Sequence, residues 1–173
     1  FEMIRYARRN HIWVRTTTNA TTLHVNDNAK KLVESGVNDI QISIDGTTQN
    51  TYENIRRGAH FKRVVENCQL INSICEDKGV LLTRMWTVLQ SKNVFEFDKF
   101  VKFAKQLGFK RLTFALNLND WGQEKWAETN NRVSAEESVT YEMAQNAIDL
   151  GRDIGVEVTF WNNTTKYSHK SPE

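Results

Sequence analysis

The chain has 173 residues, 39% hydrophobic and 25% charged, the profile of a globular domain large enough to bury a core. Its 23 Lys and Arg against 21 Asp and Glu leave a net charge of +2, too small to mark a nucleic-acid binder. No apolar run approaches the roughly 20 residues of a membrane span. The two cysteines, Cys68 and Cys75, lie about two turns apart on an expected helix, too far for an easy disulfide, which points to a reducing, cytoplasmic setting.

Helix and strand alternate almost throughout. Residues 1–10 read as a helix with Met3, Ile4 and Ala7 inward, and 12–17 as a β-branched strand. Residues 27–35 form an amphipathic helix through Ala29, Leu32 and Val33, capped by Asn26 or Asp27 and stopped at Gly36. A strand comes next at 39–44, then a short helix at 48–57, and a longer one at 61–78 with Val64, Cys68, Ile71 and Cys75 on one stripe. Residues 80–89 give a third strand, 94–107 a helix built on Phe97, Phe100, Val101 and Ala104, and 111–116 a fourth strand. Residues 117–132 read as a long polar loop carrying Trp121 and Trp126, positioned to cover the strand ends like a lid. Ser134 to Glu137 has the pattern of a capping box for a helix over 135–154, and a fifth strand is expected at 156–161. Residues 162–173 read as a flexible tail, so the domain is expected to span 1–161. The alternation predicts a parallel sheet with right-handed crossovers and strands apolar on both faces.

The sharpest signal is Ile40-Gln41-Ile42-Ser43-Ile44-Asp45-Gly46, a strand that delivers a hydroxyl, a carboxylate and a glycine at its carboxyl end. Parallel α/β folds place their ligands at that end. Alternation puts Ser43 and Asp45 on one side of the strand. A carboxylate there can accept both hydroxyls of a ribose, with the serine beside it. Asp45-Gly46 also reads as turn chemistry, with Asp45 capping the helix from Thr48. Thr16-Thr17-Thr18-Asn19-Ala20 ends another strand in the same polar manner. Arg56 closes Tyr52-x-x-Ile55-Arg56 and is either a fork for a carboxylate or a solvated charge near a helix end. Arg84 interrupts an apolar strand and faces either a polar interior with an anion or solvent at an edge. Trp86 and Trp161 read as core-layer residues. The four histidines have no metal-ligand spacing.

Together these segments resemble the middle of a radical S-adenosylmethionine enzyme, where a strand ending in Thr-Asn-Gly precedes one ending in Ser-Leu-Asp-Gly and a later Tyr-x-x-Ile-Arg. The resemblance implies an α/β fold: a partial, open (β/α) barrel of the TIM-barrel type with about five parallel strands. It implies a parent enzyme that cleaves S-adenosylmethionine reductively at a 4Fe-4S cluster. The resulting 5′-deoxyadenosyl radical would abstract hydrogen from a small-molecule or peptide substrate. It also implies that Thr18, Asn19, Ser43, Asp45, Arg56 and Arg84 belong to the cofactor-binding face. The family's Cys-x3-Cys-x2-Cys loop and Gly-Gly-Glu-Pro strand end do not occur in these residues, so the chain reads as a central piece without cluster ligands, inactive alone. The 12–17 strand is then expected to be an exposed edge through which copies self-associate. Ala20 stands where the family has glycine, which implies a turn of another type. Two other readings stay open: a stand-alone barrel-type binding module, and a barrel hydrolase pairing Asp45 with Glu53 or Asp120.

Overall fold

A computed structural model describes residues 1–116 and 124–161. The described elements run α1 (Glu2–Arg9), β1 (Arg15–Thr18), α2 (Asn28–Val33), β2 (Asp39–Ser43), α3 (Gln49–Ile55), α4 (Phe61–Asp77), β3 (Thr83–Val88), α5 (Phe97–Gln106), β4 (Arg111–Ala115), α6 (Glu124–Val133), α7 (Tyr141–Ile154) and β5 (Glu157–Trp161). All four strand pairings are parallel and the sheet order is β1-β2-β3-β4-β5. Sequence order equals spatial order, as in a barrel wall wound by successive crossovers. No helix among the described residues is long and apolar enough to cross a membrane.

The two faces of the sheet differ in chemistry. Ile40, Ile42, Met85, Leu112 and Phe114 alternate onto the outer face and are fully buried in a core shared with α2, α4, α5 and α7. The inner face, expected to be apolar, is instead lined by polar rows that bond to one another. Thr17 Oγ1 donates to Gln41 Oε1 at 3.2 Å, Arg84 Nη1 to Thr113 Oγ1 at 3.0 Å, and the Thr113 and Thr159 hydroxyls meet at 2.8 Å. Near the amino ends of the strands Asp39 takes Arg15 Nε at 2.7 Å and Arg111 Nη2 at 2.9 Å. Asp39, Gln41 and Thr113 are buried on this face, so each polar group there needs a partner.

Several local expectations fail for identifiable reasons. Met3 is 85% exposed: α1 buries none of its residues and is tied on through Arg8, which donates to the Gly36 and Ile12 carbonyls. The first strand begins at Arg15, not 12; a left-handed residue at His11 turns the chain, and Ile12 and Trp13 stay unpaired and exposed. Asn26 and Asp27 do not cap α2: both adopt positive φ in a 3-10 turn and bond no helix N–H with their side chains. The polar stretch 117–132 contains a helix, α6, on which Trp126 is exposed; Trp121 lies outside the described residues, as does the tail 162–173. Ser134 builds a short turn, accepting from the Glu136 N–H, and the long helix starts only at Tyr141, capped by the Thr140 hydroxyl.

Candidate functional site at the carboxyl end of β2

The chain leaves the sheet after Ser43 and enters a tight, braced turn. A Cβ on Gly46 would lie 2.5 Å from the Tyr52 nitrogen and 2.7 Å from its Cα, so only glycine lets the turn press against α3. Continuing the parallel ladder one step would send the Val88 N–H to the Ile44 carbonyl. Thr87 Oγ1 takes that carbonyl at 2.8 Å, and Asp45 Oδ1 accepts the Val88 N–H at 2.8 Å in its place. Asp45 Oδ2 pairs with Arg56 Nη2 at 2.6 Å. Burial pushes the Asp45 carboxyl above its ordinary range, while the Arg56 guanidinium and the Val88 N–H pull against it. Asp45 therefore lies within the wall, both oxygens engaged, and does not share the open inner face with Ser43. Strand alternation fails there because the strand has already ended. Asp45 is not the helix cap either; the Thr48 hydroxyl takes that role, accepting from the Thr51 N–H.

Two residues that sequence reading passed over hold this turn. Asn93, fully buried, donates to the carbonyls of Asp45 and Val88 at 3.0 and 2.9 Å and accepts the Gln90 N–H at 2.8 Å. Glu96, 1% exposed, accepts from the Thr47 N–H at 2.7 Å and from the hydroxyls of Thr51 and Thr48 at 2.7 and 3.1 Å. Burial pushes the Glu96 carboxyl up, but the donors on Thr47, Thr51 and Thr48 together outweigh it and leave it below its ordinary value. An Asn and a Glu at the head of an apolar helix resemble ordinary first-turn polar residues. Only their burial separates them from that class.

Ser43 sits half-buried on the inner face, opposite Trp86 in the strand register. Trp86 and Trp161, expected in the core, instead meet edge-on at 5.5 Å on this inner face, and Trp161 is 47% exposed. Their strand positions carry inner-face parity, which hydrophobicity alone does not report.

At the end of β1, Thr18 Oγ1 accepts the Ala20 N–H at 3.1 Å and Asn19 Oδ1 accepts the Thr21 N–H and hydroxyl at 3.2 and 2.8 Å. Ala20 adopts φ 61°, so the turn keeps the glycine conformation with alanine in it, contrary to the expectation of another turn type. The Asn67 side chain donates to the Ala20 carbonyl at 2.6 Å and holds it there. Between this loop and the α3–α4 link opens a cleft of about 620 Å³, lined by Asn19, Tyr52, Arg56, Arg57, His60 and Arg63 among others. Asn19 and Arg56 thus line one cleft; Asp45 reaches it through Arg56, and Ser43 is not among its lining residues. Arg84 lies apart from them: it faces the interior, bonded to Thr113 and 3.7 Å from Asp39.

The residues of a hydrolase pair do not converge among the described residues. Glu53 is turned to the Phe61 N–H at 2.9 Å and to Gln49 at 3.2 Å, and Asp120 lies outside them. Among the described residues no three of His, Cys, Asp and Glu are grouped to hold a metal. Cys68 and Cys75 point into the core from α4, and burial raises both thiols.

The radical SAM superfamily model matches residues 1–104. The mycofactocin maturase MftC of Mycobacterium tuberculosis is 26% identical over 128 residues, 74% of this chain and 32% of that protein; that of Mycolicibacterium smegmatis is 25% identical over 126 residues, 73% and 31%. The chain thus spans about a third of the curated relatives it matches. Streptococcus suis SuiB bound to S-adenosylmethionine superposes with a TM-score of 0.68 at 14% identity, covering 99% of this chain and 39% of that one. The protein anSMEcpe with bound AdoMet gives 0.59 at 19% identity, covering 98% and 49%. A five-stranded parallel wall wound in sequence order, with a family match over more than half its length, identifies the chain as a member of the radical SAM superfamily.

Proposed function

We propose that this chain supplies part of the S-adenosylmethionine-binding face of a radical SAM enzyme that modifies a peptide. The observation that carries the reading is the conjunction at the carboxyl end of β2: the Ser43 hydroxyl on the inner face and the Asp45–Arg56 pair at 2.6 Å beside it. Arg56 spends one amino group on Asp45, while its Nε is buried with no acceptor. An unpartnered guanidinium donor at a strand-end cleft fits a ligand carboxylate, such as that of the methionyl moiety. Ser43 can hydrogen-bond the same moiety, and Asn19 can orient it from across the cleft. Thr18 serves through the turn that presents Asn19, and Arg84 through the Thr113–Thr159 row that lines the interior. Asp45 orients Arg56 and does not itself meet the ribose.

The described residues do not fit a 4Fe-4S cluster; its ligands would come from elsewhere in the parent protein. When bound, the cluster supplies the electron that cleaves S-adenosylmethionine. The part of this chain is to hold the cofactor's charged end in a fixed place. The peptide substrate is supported by the relatives: SuiB is seen with its precursor peptide SuiA, and MftC is a maturase.

Ligand-observed NMR with S-adenosylmethionine tests this reading on the 173-residue chain. Saturation transfer is expected for the wild type, with loss of most of the signal in Arg56→Gln and a smaller loss in Ser43→Ala. Equal signals from wild type and Arg56→Gln, or none from either, would overturn it.

A further inference from the structure

The cleft of about 620 Å³ carries more positive charge than one cofactor carboxylate uses. Arg57, His60 and Arg63 stand exposed on its wall, along the α3–α4 link and the first turn of α4, and neither arginine has an ion pair among the described residues. No carboxylate is among the lining residues. At the cleft lies Tyr52, fully buried, whose hydroxyl has no hydrogen-bond partner. Burial pushes that phenol up to about 12, with the Arg56 charge pulling against it, so it keeps its proton at any physiological pH. A buried hydroxyl left unsatisfied is costly, and the same cost falls on the unpaired Arg56 Nε. The Arg56 Nε can only donate, the Tyr52 phenol can donate, and the cleft wall carries Arg57 and Arg63, so an oxyanion is the partner that satisfies both. The volume lies within the range of ligand clefts, about 300–1,000 Å³.

From this we infer that the cleft is a docking subsite for an acidic segment of the peptide substrate: Arg57, His60 and Arg63 pair with its side-chain carboxylates, and the Tyr52 hydroxyl takes the one that reaches deepest. The inference rests on the proposed peptide-modifying role; Arg57, His60, Arg63 and Tyr52 are separate from the S-adenosylmethionine face, while Asn19 and Arg56 line the same cleft and border both. Electrostatic pairing of this exposed kind acts through association rate and salt dependence.

The test is fluorescence anisotropy of a short fluorescein-labelled Glu-rich peptide against the chain, with its Gln counterpart and inorganic phosphate as competitors. The Glu peptide is expected to bind in a salt-dependent manner and the Gln peptide at least about tenfold more weakly. The Arg57→Gln/Arg63→Gln double variant should lose about tenfold for the Glu peptide while its S-adenosylmethionine NMR signal stays unchanged. Tyr52→Phe should lower peptide affinity severalfold with no loss of thermal stability, since it removes a hydroxyl that has no partner in the free protein. Equal affinity for the Glu and Gln peptides, equal binding by the double variant, or no binding at all would overturn the inference. Displacement by phosphate at the peptide's own affinity would also overturn it, by making this a free-anion site. Loss of the cofactor signal in the wild type with peptide binding intact would sink the proposed cofactor face and leave the docking subsite standing.

Discussion

Removing the Glu96 carboxylate should loosen the turn that carries the candidate site. Glu96→Ala deletes an acceptor that serves three donors: the Thr47 N–H and the Thr51 and Thr48 hydroxyls. Hydrogen bonds to a charged acceptor contribute roughly 1.5–3 kcal/mol each, and a buried donor stranded without one costs about 1–3 kcal/mol. Thr48 is exposed, so water replaces its partner; Thr51, 5% exposed, and the half-buried Thr47 have no such substitute. Two stranded donors rather than three give an expected loss of about 3 kcal/mol. That is a large part of the stability of an ordinary domain, about 5–15 kcal/mol. With a urea slope near 2 kcal/mol per M, the midpoint should fall by roughly 1.5 M. Glu96→Gln keeps an acceptor for the Thr47 N–H and an amide that can donate to the threonine oxygens, so its loss should be only about 1 kcal/mol.

The same experiment has a pH arm with a fixed sign. The Glu96 carboxyl titrates lower in the folded protein than its ordinary value of 4.5. Its contribution is therefore complete above that value and drains away as pH falls through the folded one. The gap between wild type and Glu96→Ala should be constant from pH 7 to 5 and shrink on further acidification, read by urea unfolding followed with circular dichroism. A gap under about 0.5 kcal/mol at pH 7, or one that widens in acid, would refute the reading of Glu96 as the brace of this turn.

Asn93→Ala removes two donations and one acceptance at a fully buried position and should cost about 2–3 kcal/mol in the same unfolding assay. Gly46→Ala should be worse tolerated than alanine at exposed Gly58, because its Cβ meets the Tyr52 backbone at 2.5 Å while Gly58 has open space; comparison of thermal midpoints decides it. Anaerobic reconstitution of the chain with iron and sulfide should give no stoichiometric 4Fe-4S absorption, since its only cysteines, Cys68 and Cys75, are buried in the core. The β1 edge, with Ile12 and Trp13 more than half exposed beside it, should drive self-association; a single monomer peak at high concentration in sedimentation velocity would count against it.

Where the sequence was legible, one regular period governed the residues. Ile40, Ile42, Met85, Leu112 and Phe114 alternate onto one face, and the stripe through Val64, Cys68, Ile71 and Cys75 is buried on α4, so the strands and helices could be read directly, while the barrel arrangement came with the family resemblance. The inner face escaped because its content is pairwise. Arg84 is tolerable only because Thr113 and Asp39 stand beside it, both far away along the chain, and no local pattern announces such partners. Asp45 stood out by its motif, yet its orientation depends on the residue at which the strand stops. Glu96 and Asn93 lie far along the chain from the turn they hold, and escape local reading for the same reason.

The bracing also bears on how the proposed face would work. Asp45 is fixed by the Val88 N–H, its carbonyl by Asn93, and the adjoining Thr47–Thr51 turn by Glu96, all before any ligand arrives. Arg56 is then oriented from within the wall by a carboxylate whose other oxygen is already engaged. An unsupported arginine would lose side-chain freedom on meeting a ligand, a cost of about 0.5–1.5 kcal/mol for one immobilised side chain. Here that ordering is part of folding, and the ligand inherits it. Substituting Asp45 should therefore weaken cofactor binding through Arg56 rather than through a lost ribose contact. Asp45→Asn tests the difference: it keeps one acceptor for the Val88 N–H but removes the charge that orients the guanidinium. If Asp45 acts through Arg56, Asp45→Asn and Arg56→Gln should depress the S-adenosylmethionine NMR signal to a similar degree, and the double variant no further. Additive losses would mean that Asp45 meets the ligand itself.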